Sequence, residues 1–266
     1  MPYRITYALD QHGPLAERAL NHLLACLYAI DVAYLQKHPE TPLLAKSKVQ
    51  YFADPDGQDD WQDIPSTLFL GCGDAEDLVA WRAAERTVRE KRPSIPVVMN
   101  GRIVIRSQDP KDISIEDIIP SNAPLIDTSR LGRVTFRLDL FNGNWEKDLS
   151  RRALTDLLEA LYRIDVDYLR THPNTPDIYS PAAGQVYMEE PTGQEDWQDV
   201  PTALKMKISD CEDLACWLAA QKTVRGTPAK PFYSESKLPS GAMLFHIRVR
   251  DQRGRIEDPS WILGMR

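Results

Sequence analysis

The sequence predicts an α+β fold carried twice in tandem. Three observations lead there: a domain-sized internal repeat, period-two alternation at the opening of each repeat, and helical periodicity directly after it. The stretch from Arg18 to Pro42 aligns with Arg152 to Pro176, 16 of 25 positions being identical at an offset of 134. Gly57 to Arg89 aligns with Gly193 to Arg225, 18 of 33 positions being identical at an offset of 136. A spacing of this size exceeds a solenoid unit and matches a domain. The join is expected in Ile119-Pro120-Ser121-Asn122-Ala123-Pro124, where proline and small polar residues punctuate the chain. That divides the molecule into 1–125 and 126–266.

Each repeat opens on a strand, Arg4-Ile5-Thr6-Tyr7 in the first and Arg133-Val134-Thr135-Phe136 in the second. An amphipathic helix follows, with Leu154, Leu157, Leu158, Leu161, Ile164 and Tyr168 on one face in the second repeat. His172-Pro173 and Thr175-Pro176 stop it, because proline cannot continue a helix. A polar loop through Glu189-Glu190-Pro191-Thr192-Gly193 leads to a second helix starting near Asp210, with Leu214, Ala215, Leu218 and Ala219 at core spacing. Met243 to Arg250 then alternates as a strand, and Gly254 turns the chain into a short strand around Arg255-Ile256-Glu257.

Composition removes several classes of function. The 266 residues are 42% hydrophobic and 27% charged, with 32 Lys and Arg against 39 Asp and Glu, a net charge of −7. Nucleic acid is not an expected partner, because neutralising phosphates needs clustered basic side chains. No apolar run approaches the roughly 18 residues of a membrane-spanning helix, so no membrane partner is expected. The opening Met1-Pro2-Tyr3-Arg4-Ile5 lacks the apolar core of a secretory signal. Four cysteines, Cys26, Cys72, Cys211 and Cys216, are too few for a disulfide scaffold, and a cytoplasmic location is expected. Cys211 and Cys216 lack zinc-like spacing and clustered histidines, so neither a metal nor a cofactor is expected.

The chemistry concentrates in the second repeat. Ser209-Asp210-Cys211-Glu212-Asp213-Leu214 puts a thiol at a helix N-terminus, where free N–H groups and the helix dipole are expected to lower its pKa. The same N–H groups suit a developing oxyanion. Such a nucleophile needs a base and an orienting acceptor. His246 lies on one expected strand, in Phe245-His246-Ile247, and Asp258 on the next, in Ile256-Glu257-Asp258-Pro259, 35 and 12 residues further along in turn, and a hairpin of this length can set the two side by side. The first repeat has Ala75 where Cys211 stands, and no histidine within two residues of the position matching His246. An alanine methyl offers no nucleophilic atom, so that repeat cannot do this chemistry. Asp117 matches Asp258 in the first repeat, which leaves Asp258 open to a turn or strand-end role. Trp197 recurs as Trp61, which favours packing, although Trp197 also suits an acyl site; Gln185 is a candidate oxyanion donor. The acids at Glu212 and Asp213 recur as Glu76 and Asp77 and are accounted for by the helix dipole.

The order of Cys, His and Asp, with Trp197-Gln198-Asp199, Asp210-Cys211-Glu212-Asp213-Leu214-Ala215, Phe245-His246 and Ile256-Glu257-Asp258-Pro259, resembles the transglutaminase-like branch of the papain-like cysteine enzymes, and most of all its small bacterial and phage-associated members. The resemblance is specific over roughly residues 185 to 266. It implies two tandem transglutaminase-like domains, each with a helix-start nucleophile position packed on an antiparallel sheet. It also implies thiol acyl transfer: hydrolysis of a peptide or amide bond, or transfer to an amine, with a protein or peptide as substrate. One departure is Ser209, where a glycine is usual; the first repeat keeps that glycine as Gly73. A second function stays open, a non-catalytic structural or binding protein such as a phage-particle or assembly component, virion-associated, that uses the duplicated fold as an interaction platform.

Overall fold

A computed structural model describes residues 3–55, 59–107, 113–114, 119–139, 147–191, 195–237 and 243–265. The first repeat runs β1 (Tyr3–His12), α1 (Pro14–Lys37), β2 (Gln50–Tyr51), β3 (Asp60–Gln62), α2 (Ile64–Leu70), β4 (Cys72–Gly73), α3 (Ala75–Val88), β5 (Ser94–Met99), β6 (Arg102–Ser107) and β7 (Ile113–Ser114). The second repeats that order: β8 (Arg130–Leu138), α4 (Lys147–Thr171), β9 (Val186–Tyr187), β10 (Asp196–Gln198), α5 (Val200–Met206), β11 (Ile208–Ser209), α6 (Cys211–Val224), β12 (Ala229–Lys237), β13 (Met243–Asp251) and β14 (Ile256–Glu257). A short α7 (Pro259–Ile262) follows. The architecture is mixed α+β. Among the described residues, no helix is long and apolar enough to cross a membrane.

The opening strands exchange between the repeats. β1 runs antiparallel to β8 with Thr6 opposite Thr135, and the two hydroxyls meet at 3.1 Å. Thr6 and Thr135 occupy equivalent positions, so a local two-fold passes between them. β10 joins the far side of β1 in parallel, and β3 joins the far side of β8, which gives the order β10-β1-β8-β3. Each repeat's opening strand therefore carries the short tryptophan-bearing strand of the other repeat. Alternation makes this possible: Ile5, Tyr7 and Leu9 of β1 all point to one face and are buried there. On that face Trp61, Phe136, Tyr7 and Trp197 form an unbroken aromatic row across the four strands, with ring centroids 5.5, 5.5 and 5.6 Å apart. The Tyr7 pairs with Phe136 and Trp197 are edge-to-face, at 63° and 71°, and such pairs add about 0.5–1.5 kcal/mol each beyond their area burial.

The helices close this face. α1 and α4 pack against one another, and their apolar stripes join the aromatic row in one core cluster drawn from both repeats. Leu157, Leu158, Leu161 and Ile164 of α4 are buried, while Leu154 and Tyr168 are half-buried at its edge. A smaller cluster around Leu35, Leu78 and Trp81 belongs to the first repeat alone. The join from Ile119 to Pro124 contains neither helix nor strand.

Local chemistry explains the short elements around the site. Asp199 caps α5 by accepting from Thr202 N at 3.0 Å, as Asp63 caps α2 from Ser66 N at 2.9 Å. Asp213 Oδ1 on α6 accepts from Gln198 N at 2.7 Å, and Asp77 does the same for Gln62. Asp213 and Asp77 thus tie the tryptophan strands in place, a role beyond favouring the helix dipole. A Cβ on Gly73 would come within 3.0 Å of Asp77 Cβ and Oδ2 and within 3.2 Å of the Thr67 methyl; in the second repeat Ala203 stands in place of Thr67 while Asp213 matches Asp77, and the Ser209 hydroxyl donates to Gln185 Oε1 at 3.1 Å.

Candidate active site

Cys211 is the first residue of α6, and Asp210 is its N-cap residue. The fold presents this helix start to a cavity of about 390 Å³, whose wall also includes Trp197 from β10, His246 and Ile247 from β13, and Met265. Tyr187 N donates to Leu263 O at 3.0 Å, holding the segment after α7 against β9, and so Met265 reaches the cavity. His246 Nε2 and Asp258 Oδ2 are 2.8 Å apart. Asp258 is fixed by a second duty as N-cap of α7, where its Oδ1 accepts from Trp261 N at 3.2 Å. With Nε2 bound to the carboxylate, His246 keeps Nδ1 as its remaining base nitrogen. Asp117 of the first repeat lies outside the described residues, as do residues 192–194 of the loop after Glu190.

The thiol differs from the sequence expectation. Instead of being lowered by the helix dipole, its pKa is pushed well above the usual thiol value, first by burial and then by the Glu212 and Asp210 carboxylates. Sγ donates to Glu212 Oε2 at 3.1 Å. At rest the sulfur is a thiol, because burial and the neighbouring carboxyl groups outweigh the half-charge of a helix end.

The acids themselves are perturbed. Glu212 is pushed up to about 7, by burial first and then by Glu195. Asp210 and Asp213 are raised by burial and then by Glu212. Glu189, Glu190, Glu195, Asp210 and Glu212 all line the cavity, and Asp210 Oδ1 is buried without a partner. The first repeat has the matching cavity, about 500 Å³, lined by Asp54, Asp59, Asp74 and Glu76 around Ala75. Carboxylate oxygens of Asp54, Asp59 and Asp74 lie within 4.8 Å of one another, the one group among the described residues with the proximity a metal ion would require. Asp59 is pushed up to about 8 by burial and then by Glu76. A proton shared among such acids relieves their repulsion.

Raised carboxyl pKa values have a consequence for folding. The unfolded chain gives up these protons near the ordinary carboxylate range, whereas the folded chain holds them to about 6 at Asp156, 7 at Glu212 and 8 at Asp59. Between those limits the native state binds more protons, so stability falls as pH rises. The melting temperature is expected to drop from pH 5 to pH 8 at fixed ionic strength. Calorimetry that finds it level or climbing contradicts this assignment of protons.

Gln185 is not an oxyanion donor here. Its amide nitrogen donates to Ala203 O at 2.8 Å and its oxygen accepts from Ser209 Oγ at 3.1 Å, so it fastens α5 to β11 behind the cavity. Trp197 packs and also lines the cavity: it is 2% exposed, it meets the Tyr7 ring, and its Nε1 is buried without a partner. Cys216 is fully buried on α6, and Cys26 is buried on α1. Sequence reasoning missed Glu212 as the acceptor of the thiol proton; its position next to Cys211 was the available signal. It also missed β1, a strand of the first repeat that borders the second repeat's site.

No family model, no curated protein and no solved structure matches this chain.

Proposed function

We propose that the second repeat performs thiol-dependent acyl transfer, hydrolysing a peptide or amide bond through Cys211, His246 and Asp258 as a transglutaminase-like cysteine enzyme. The observation that carries this reading is the 2.8 Å bond from His246 Nε2 to Asp258, made in the wall of the cavity that the helix-start thiol of Cys211 also lines. His246 Nδ1 takes the thiol proton as Sγ attacks the carbonyl carbon, and Asp258 steadies the imidazolium. The Sγ–C bond forms as the carbonyl π pair moves to oxygen. Collapse expels the leaving amine, which receives the proton from His246, and leaves a thioester. Water then attacks the thioester and releases the acid and the thiol. Trp197 Nε1–H is the donor suited to the carbonyl oxygen, together with the free N–H groups at the start of α6.

A binding platform without chemistry is the competing function, and one observation favours it: the thiol is held protonated by burial and Glu212. The two readings part on a chemical test. Incubation with p-nitrophenyl acetate should deposit one acetyl group per chain, as a thioester on Cys211, and Cys211→Ala should abolish it. A pure binding protein leaves Cys211 unacylated.

A further inference from the structure

Tyr3 belongs to the repeat that lacks a nucleophile, yet its hydroxyl donates to Glu195 Oε1 at 2.7 Å, in the wall of the second repeat's cavity. The position matching Tyr3 in the second repeat is Gly132, which has no side chain to offer the first repeat's cavity. The two tryptophan strands differ accordingly. In the first repeat Asp59, the residue matching Glu195, accepts from Trp61 Nε1 at 2.5 Å. In the second, Trp197 Nε1 is buried and has no partner. The backbone does not account for the difference, because Thr6 N donates to Glu195 O and Thr135 N to Asp59 O, both at 2.7 Å. Glu195 is also one methylene longer than Asp59, so reach is not what denies it the indole. A buried N–H left unpaired is costly, and a carboxylate free to turn would remove that cost.

We infer that Tyr3 is a positioning residue of the candidate site: by holding Glu195, it keeps the Trp197 indole N–H unpaired for the carbonyl oxygen of the substrate. The hold on Glu195 stands independently of any chemistry; the use made of the N–H rests on the acyl-transfer reading. The nucleophile-less repeat thereby acts as a built-in partner subunit, because its opening strand pairs with β10 and its Tyr3 hydroxyl meets Glu195, a residue that lines the other repeat's cavity. β8 in turn lines the first repeat's cavity with Arg130, Leu131 and Arg133, but Gly132, at the position matching Tyr3, has no hydroxyl to hold Asp59.

The test uses the full chain labelled with 15N-tryptophan, the Trp197 indole resonance being assigned by its loss in Trp197→Phe. Tyr3→Phe removes only the hydroxyl. It should move the Trp197 indole proton downfield and slow its exchange, as Glu195 turns to accept it. Adding Glu195→Ala to Tyr3→Phe should reverse both changes. In p-nitrophenyl acetate turnover, Tyr3→Phe should lower kcat by about tenfold or more with KM little changed, since loss of an oxyanion donor costs up to about 10²–10³, and the double variant should recover. An indole resonance that ignores Tyr3→Phe overturns the hold. A resonance that shifts while kcat stays level keeps the hold and overturns the role given to the N–H. If the unaltered chain turns over no ester at all, the acyl-transfer reading fails while the resonance still decides the hold.

Discussion

Replacing His246 by alanine is expected to slow acylation of Cys211 by about 10²–10⁴, the usual worth of a positioned general base. The effect should lie at the large end because of the state of the thiol. A helix-activated thiolate would react without help, and removing its histidine would cost little. Here burial, Glu212 and Asp210 hold the proton on sulfur, so attack at neutral pH depends on a base in the transition state. Asp258 is fixed as N-cap of α7 whether or not the imidazole is present, so the variant should keep its fold. Single-turnover release of p-nitrophenol from p-nitrophenyl acetate at pH 7 reads the rate. A loss smaller than about tenfold would show that His246 is not the base.

Truncating Tyr7 to alanine should destabilise the whole chain by about 3–5 kcal/mol, the range for large aromatic residues removed from a core. Tyr7 is fully buried in the aromatic row, between Phe136 and Trp197. Its hydroxyl donates to Leu157 O of α4 at 2.8 Å, so the variant also leaves a buried carbonyl without this donor. Against a typical total of 5–15 kcal/mol, such a loss is severe. The strand exchange gives it a second signature. Since β1 pairs with both β8 and β10, the repeats share their central sheet and should unfold in one step. Urea transitions followed by tryptophan fluorescence and by far-ultraviolet circular dichroism should coincide, and both should move together in Tyr7→Ala. Two separate transitions, of which only one moves, would contradict a shared core.

Much of the element order was legible in the sequence because it depends on local signals. Period-two alternation marked β1, β8 and β13, the 3.6-residue period marked α4, and His172-Pro173 ended it at Thr171. The repeat then carried each assignment from one half to the other. Pairing partners were not legible. Alternation says that Arg4 to Tyr7 is a strand, but nothing local says that it lies against Arg133 to Phe136, 129 residues away, rather than against its own repeat. The hydrogen bond between His246 and Asp258 fits the 12-residue spacing, which is hairpin length. The protonation of Cys211 was not legible, since a helix start argues for thiolate and the contrary effect comes from how deeply Glu212 and Asp210 are buried. Gln185 shows the same limit from the other side. Its amide is chemically able to bind an oxyanion, and only the positions of Ala203 and Ser209 reveal that it is already bound.

The most direct measurement of the central claim is the location of the acyl group. The full chain is treated with p-nitrophenyl acetate at pH 7, quenched in acid, and mapped by peptide mass spectrometry before and after hydroxylamine, which cleaves thioesters and spares acetylated lysine. The account predicts one hydroxylamine-sensitive acetyl group on the peptide containing Cys211, with none on Cys26, Cys72 or Cys216. Acetyl groups found only on surface lysines, or on Cys72 with Cys211 unmodified, would contradict it.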